Sequence, residues 1–135
     1  MSARLRRPMR SMPSRQSDTA LRDILYHIEL ATNFLAGFER DSFKHDIRTV
    51  YAVTRCLEII SEASRRLPDD LKGRHPAIRW KQMAGAGNVY RHDYEDVAAE
   101  FVWETVERAL PPLRSVIEGR TQAGLKRFDF ITLTR

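Results

Sequence analysis

From Asp41 to Leu67 the chain contains neither glycine nor proline. Ile47, Val50, Tyr51, Val53, Leu57, Ile60 and Leu67 recur through this run at helical spacing. The pattern predicts one long amphipathic helix of about 24 residues. From Ser17 a second stripe follows the same i, i+3, i+4, i+7 rule through Leu21, Ile24, Leu25, Ile28, Leu35 and Phe38, with Ser17 and Asp18 as candidate N-caps. Two helices that each carry one apolar face must bury those faces against partners, so the chain is constrained toward a helical bundle.

The remaining segments extend this reading. Pro68-Asp69-Asp70 and Gly73-Arg74-His75-Pro76 mark a connection with room for a short helical turn. A third helix is expected from near Ile78 through Trp80, Met83, Ala84, Val89 and Tyr90, although it contains Gly85 and Gly87. Each glycine costs about 1 kcal/mol relative to alanine inside a helix, so close packing or a site must account for them. A fourth helix, capped by Asp96, presents Val97, Phe101, Val102, Val106 and Leu110 until Pro111-Pro112 ends or kinks it. Leu113, Val116 and Ile117 continue the stripe briefly, and Phe128 to Leu133 alternates as an extended arm would. The expectation is an all-α, up-and-down bundle of four to five helices over residues 17–120, between a disordered basic tail (1–16) and a C-terminal extension (121–135).

The net charge of +5 does not by itself indicate nucleic-acid binding. Arg4, Arg6, Arg7, Arg10 and Arg15 put the whole excess in the first 16 residues, and residues 17–119 carry 14 basic against 17 acidic side chains. Within the body the charge is divided. Residues 65–92 carry Arg65, Arg66, Lys72, Arg74, Arg79, Lys81 and Arg91 against Asp69 and Asp70, whereas residues 93–107 carry six acids and no base. The basic block either attracts phosphates or is a solvated surface paired with the acidic helix. Cys56 stands alone, so neither an intramolecular disulfide nor a cysteine metal cluster is available, and no apolar run is long enough for a membrane span. A cytoplasmic protein is expected.

Most local patterns are weak. Gly85-Ala86-Gly87 lacks the third glycine and the preceding strand of a dinucleotide fingerprint. His27, His45 and His75 have no metal-ligand spacing, so no metal and no cofactor are expected. Glu58 and Glu62 share a helix face as a solvated pair, and Cys56 reads as a small core residue. The informative string is Asn88-Val89-Tyr90-Arg91-His92-Asp93-Tyr94. There Asn88 and His92 lie one helical turn apart, and the imidazole can exchange a proton near neutral pH.

In order, the chain presents Asp46, Leu57-Glu58-Ile59-Ile60-Ser61-Glu62-Ala63-Ser64, Leu67-Pro68, Pro76-Ala77-Ile78-Arg79-Trp80, Met83 and Asn88-x3-His92-x-Tyr94. Phe101-Val102-Trp103-Glu104-Thr105-Val106 and Leu110-Pro111-Pro112-Leu113 follow. This series, over roughly residues 18–119, resembles the HepT-like toxins of the HEPN superfamily. The resemblance implies an all-α homodimer with active sites near the dimer interface. It also implies a metal-independent RNA endonuclease, the toxin of a type VII-like toxin-antitoxin pair. The family motif is Arg-x4-His-x-Tyr, in which Arg and His act on the RNA phosphate and ribose 2′-hydroxyl. A partner nucleotidyltransferase antitoxin of the MntA kind silences the toxin by adenylylating the Tyr. His92 and Tyr94 match the motif His and Tyr, and Asn88 matches the polar residue that commonly follows the Arg.

The position of the motif Arg is Gly87. Two readings follow: a weakened or inactive HEPN dimer that serves as binding partner of a nucleotidyltransferase, or an enzyme in which another base supplies the cation. Arg91, one turn after Gly87 on the same face, is the candidate, because long helical side chains lean back over the preceding turn. Arg74 and Lys81 are candidates for steering RNA.

Overall fold

The computed structural model describes residues 14–92 and 95–125, and the side chains of residues 17–86 and 98–120. Among the described residues seven helices follow in chain order: α1 (Ser14–Leu35), α2 (Arg40–Lys44), α3 (Ile47–Arg65), α4 (Asp69–Gly73), α5 (Trp80–His92), α6 (Glu95–Glu104) and α7 (Leu110–Leu125). A π-helical turn, Thr105–Ala109, joins α6 to α7. No strand occurs among the described residues. The architecture is the expected all-α bundle, and none of its described helices is long and apolar enough to cross a membrane. The Phe128 to Leu133 arm, Tyr94 and most of the basic tail lie outside the described residues.

Helices α1 and α3 pack antiparallel, and an ion pair from Arg66 to Asp23 at 3.0 Å ties the end of one to the start of the other. Their seam is the anticipated one. Leu21, Ile24, Leu25, Ile28 and Leu35 of α1 meet Val53, Cys56, Leu57 and Ile60 of α3 in a single buried cluster. Leu113 and Ile117 of α7 and Val102 of α6 close it, and Arg114 of α7 pairs with Glu29 of α1. Helix α1 begins at Ser14, so Ser17 and Asp18 lie inside it rather than capping it. It ends before Gly37, whose φ of +88° is the left-handed conformation that glycine adopts without strain.

The uninterrupted run from Asp41 is not one helix. It breaks at His45, and Asp46 restarts the chain by accepting a hydrogen bond from the Thr49 N–H at 3.3 Å, while Glu39 and Ser42 form a reciprocal capping box for α2. Local side-chain caps can end a helix without glycine or proline. The stripe needs a separate correction: Ile47 is 52% and Tyr51 65% exposed. At 100° per residue these two lie roughly 120° or more from the mean direction of Val53, Leu57 and Ile60. The inserted α2 seats Phe43 against Trp103 of α6, with ring centroids 5.5 Å apart.

The proline pair does not end the last helix. The Leu110 N–H bonds the Thr105 carbonyl across the wider π turn, and α7 takes Pro111 and Pro112 in its first turn. Proline is tolerated there because first-turn N–H groups need no intrahelical partner, and the widened turn relieves the clash of its ring with the carbonyl four residues back. The continuation therefore runs for 16 residues, longer than expected. Helix α6 begins at Glu95, which places Asp96 inside the helix rather than at its cap.

Candidate functional site

Asn88, Arg91 and His92 all belong to α5, and two residues separate the end of α5 at His92 from the start of α6 at Glu95. Polar contacts as well as burial hold the first half of α5 in place. The Trp80 indole N–H donates to the carbonyls of Lys72 at 3.1 Å and His75 at 3.0 Å, fixing the start of the helix to the loop before it. The Ser61 hydroxyl of α3, 1% exposed, donates to the Ala84 carbonyl at 2.8 Å, and the Ser64 hydroxyl donates to the Ser61 carbonyl at 2.8 Å. Met83 and Ala86 supply the apolar anchor.

The helical register sorts the site residues. Lys81, Gly85, Asn88 and His92, spaced by four, three and four, fall on one line of α5 within roughly 60°. Gly87 and Arg91 fall on another line, with Trp80 and Ala84. Gly85 is therefore one element of the line that leads to His92, about 10 Å along the axis. A methyl group added at Gly85 would meet nothing within 4 Å, so close packing is not what excludes a side chain there. Lys81 is exposed and makes no ion pair among the described residues. Arg74 pairs with Asp70 at 3.4 Å and sits at the C-terminal end of α4, in the loop segment that Trp80 ties to α5.

Roughly 110° around α5 from the His92 line, a cleft of about 530 Å³ opens between α5 and the π turn. Arg79, Gln82 and Ala86 form one wall, Thr105 and Arg108 the other, and Phe101 and Met83 contribute apolar surface. Among the described residues no carboxylate lines it. Arg79 belongs to the basic block visible in the sequence, but the cleft itself leaves no trace there, because its second wall comes from residues more than 20 positions further along the chain.

Ion pairs show how the opposed charge blocks are used. Glu100 and Glu104 pair with Arg40 at 2.7 and 2.8 Å; Lys44 reaches Glu100 at 3.2 Å and Arg108 reaches Glu104 at 3.2 Å. Among the described residues, Glu100 and Glu104 are satisfied by α2 and the π turn. Hydrogen bonds from Arg40 and then Lys44 hold the Glu100 carboxyl below the usual carboxylate range. In the core, burial pushes the Cys56 thiol up to about 11, which keeps it neutral and unreactive at physiological pH. Among the described residues no group of three or more His, Cys, Asp or Glu side chains is placed to hold a metal ion. His27 and His45 each use Nδ1 on a backbone carbonyl within their own helical turn.

Sequence comparison places the chain among known proteins. Two proteins of Methanocaldococcus jannaschii, each named as a candidate RNase, are 35% and 34% identical to the chain over 107 residues, covering 79% of it and 88% and 92% of their own lengths. A protein of Thermococcus cleftensis, named as a candidate ribonuclease HepT, is 39% identical over 98 residues, or 73% of this chain and 89% of its own. No solved structure matches the chain. The family described as ribonuclease HepT-like matches residues 24–119, from the first turns of the α1 seam through the greater part of α7. The chain belongs to the HepT-like ribonuclease family.

Proposed function

We propose that the protein is a metal-independent RNA endonuclease of the HepT-like kind, the toxin of a type VII-like pair, acting as a cytoplasmic homodimer. The observation that carries this reading is the family match over residues 24–119, together with the line Lys81, Gly85, Asn88 and His92 on one helix. In the proposed reaction the ribose 2′-hydroxyl attacks the adjacent phosphorus, and the P–O5′ bond breaks. The products are a 2′,3′-cyclic phosphate and a 5′-hydroxyl. The His92 imidazole moves the proton, Asn88 orients the phosphate or the hydroxyl, and a cation stabilises the charge that develops on the phosphoryl oxygens. Arg91 supplies that cation in place of the residue missing at Gly87, and Lys81 and Arg74 steer the strand. A nucleotidyltransferase of the MntA kind silences the enzyme by transferring AMP to Tyr94.

The glycine at position 87 favours a second reading, a HEPN dimer that has lost catalysis and serves as partner of the nucleotidyltransferase. Cleavage of RNA in excess EDTA separates the two. Under the first reading the wild type cleaves, and His92→Ala and Arg91→Ala each lose about 100-fold or more. If wild type is inert while Gly87→Arg cleaves, the second reading holds. If Arg91→Ala cleaves as well as wild type, Arg91 is not the cation.

A further inference from the structure

Resting on the ribonuclease reading above, we propose that the cleft between α5 and the π turn is a substrate subsite that holds one nucleotide of single-stranded RNA beside the scissile bond. At about 530 Å³ the cleft falls in the range of small-ligand sites. Its chemistry matches a nucleotide in two respects. Arg79 and Arg108 put two guanidinium groups at its walls, with no carboxylate among the described residues of the lining. The Arg79 side chain makes no ion pair among the described residues, and that of Arg108 is 76% exposed, touching Glu104 through Nε at 3.2 Å. Between the cations, Phe101 and Met83 offer an aromatic and a thioether surface to a base, and Gln82 offers donors and an acceptor to its edge. Stacking plus a cationic backbone contact is the general mode by which single strands are bound without reading a duplex.

The turn that accommodates Pro111 and Pro112 also shapes the cleft. The wall carrying Thr105, Arg108 and Ala109 is the π turn itself. A widened turn is uncommon and often accompanies a site, and here it carries Arg108 and Thr105 at the cleft. The Thr105 hydroxyl donates to the Phe101 carbonyl at 2.7 Å, which ties the stacking residue to the turn. Position bears on the case: Ala86 in the cleft wall precedes His92 by six residues of the same helix, about 9 Å along the axis and roughly 120° around it, so a strand that reaches both must wrap partly around α5. A nucleotide in the cleft and a phosphate at His92 therefore belong to one short stretch of a strand.

The test uses the full chain and a 2′-O-methyl oligoribonucleotide, which lacks the nucleophile and reports binding alone, beside cleavage of the unmodified RNA. The Arg79→Ala/Arg108→Ala double variant is expected to bind the oligonucleotide at least tenfold more weakly. Its salt dependence should be shallower by about 0.7 for each phosphate that an arginine no longer neutralises. Phe101→Leu should weaken binding with no change in salt slope. Both arginines are exposed, and circular dichroism is expected to show the double variant folded. If wild type cleaves RNA and the double variant binds and cleaves equally well, the subsite is refuted and the ribonuclease reading stands. If wild type neither binds nor cleaves, both fall. A shift from dimer to monomer in the double variant, or tight binding of free AMP that leaves RNA binding untouched, would reassign the cleft to a second copy or to a free nucleotide and overturn the proposal.

Discussion

The α1–α3 pair and the α5–π turn region are held by different forces. Along α1 and α3 the seam is continuous aliphatic burial, with Ile24, Val53 and Ile60 at 0% exposure. Over residues 80–86 of α5 only Met83 and Ala86 are buried, and this half of the helix depends on the Ser61 and Trp80 hydrogen bonds, while the following segment leans on the Arg40–Glu100–Glu104 ion pairs. Burial is non-directional and roughly proportional to area, so the first region stabilises the fold without specifying fine geometry. Hydrogen bonds and ion pairs contribute less net energy but fix direction. A site that must hold a phosphate against an imidazole needs the second kind of support.

The largest effect expected from this contrast is on stability. Ile60→Ala should lower the unfolding free energy by about 2–5 kcal/mol in urea denaturation, while leaving the cleavage rate of the remaining folded protein within about twofold. A fall in rate without a fall in stability would contradict the division. Ser61→Ala removes the donor to Ala84 and should cost about 1–3 kcal/mol, with a larger relative loss of cleavage than Ile60→Ala shows per unit of stability. Equal ratios for the two variants would erase the difference between seam and site.

Gly85→Ala tests the same contrast with the opposite sign. Space is open around the added methyl group, and the helix gains about 1 kcal/mol, so thermal stability should rise. Because Gly85 shares its line with Asn88 and His92, cleavage is expected to fall by a few-fold as the methyl group intrudes on the strand. Improved stability with unchanged cleavage would show that the bare backbone serves no substrate. The smallest effect concerns pH. The Glu100 carboxyl titrates lower in the folded than in the unfolded chain, so its contribution is present above the ordinary carboxylate pKa near about 4.3 and is lost as pH falls through the depressed value. Arg40→Met should therefore remove a small stabilisation that is present at pH 8, flatten the fall of stability below about pH 5, and leave variant and wild type converging at low pH.

How much of this was legible depends on the range of the interaction. The apolar stripes of α1 and α3 were readable because burial imposes a helical period on the sequence. The break at His45 was not, since it depends on the short side chains of Ser42 and Asp46 choosing the backbone of α2 and α3 as partners, and polar residues in a helical run carry no unambiguous signal of that choice. Ile47 and Tyr51 were misplaced for a different reason: 100° per residue already turns them away from Val53, Leu57 and Ile60, wherever the helix begins. Asn88 and His92 were legible as a spacing, and their line with Lys81 and Gly85 follows directly from helix geometry. The Ser61 support and the Arg79–Arg108 cleft were not, because each joins helices distant in sequence and neither leaves a local pattern.

By itself, then, the sequence determined an all-α bundle, the helix that carries Asn88 and His92, and a family, because periodicity, breakers and motif order are all local properties of the chain. Only the tertiary structure decided that the long run is two helices, that the Pro111-Pro112 pair is absorbed by a π turn, and that Arg79 and Arg108 face one cleft. Those outcomes arise where separate helices compete for the same hydrogen-bond partners and the same space, and that competition is settled only when the chain packs.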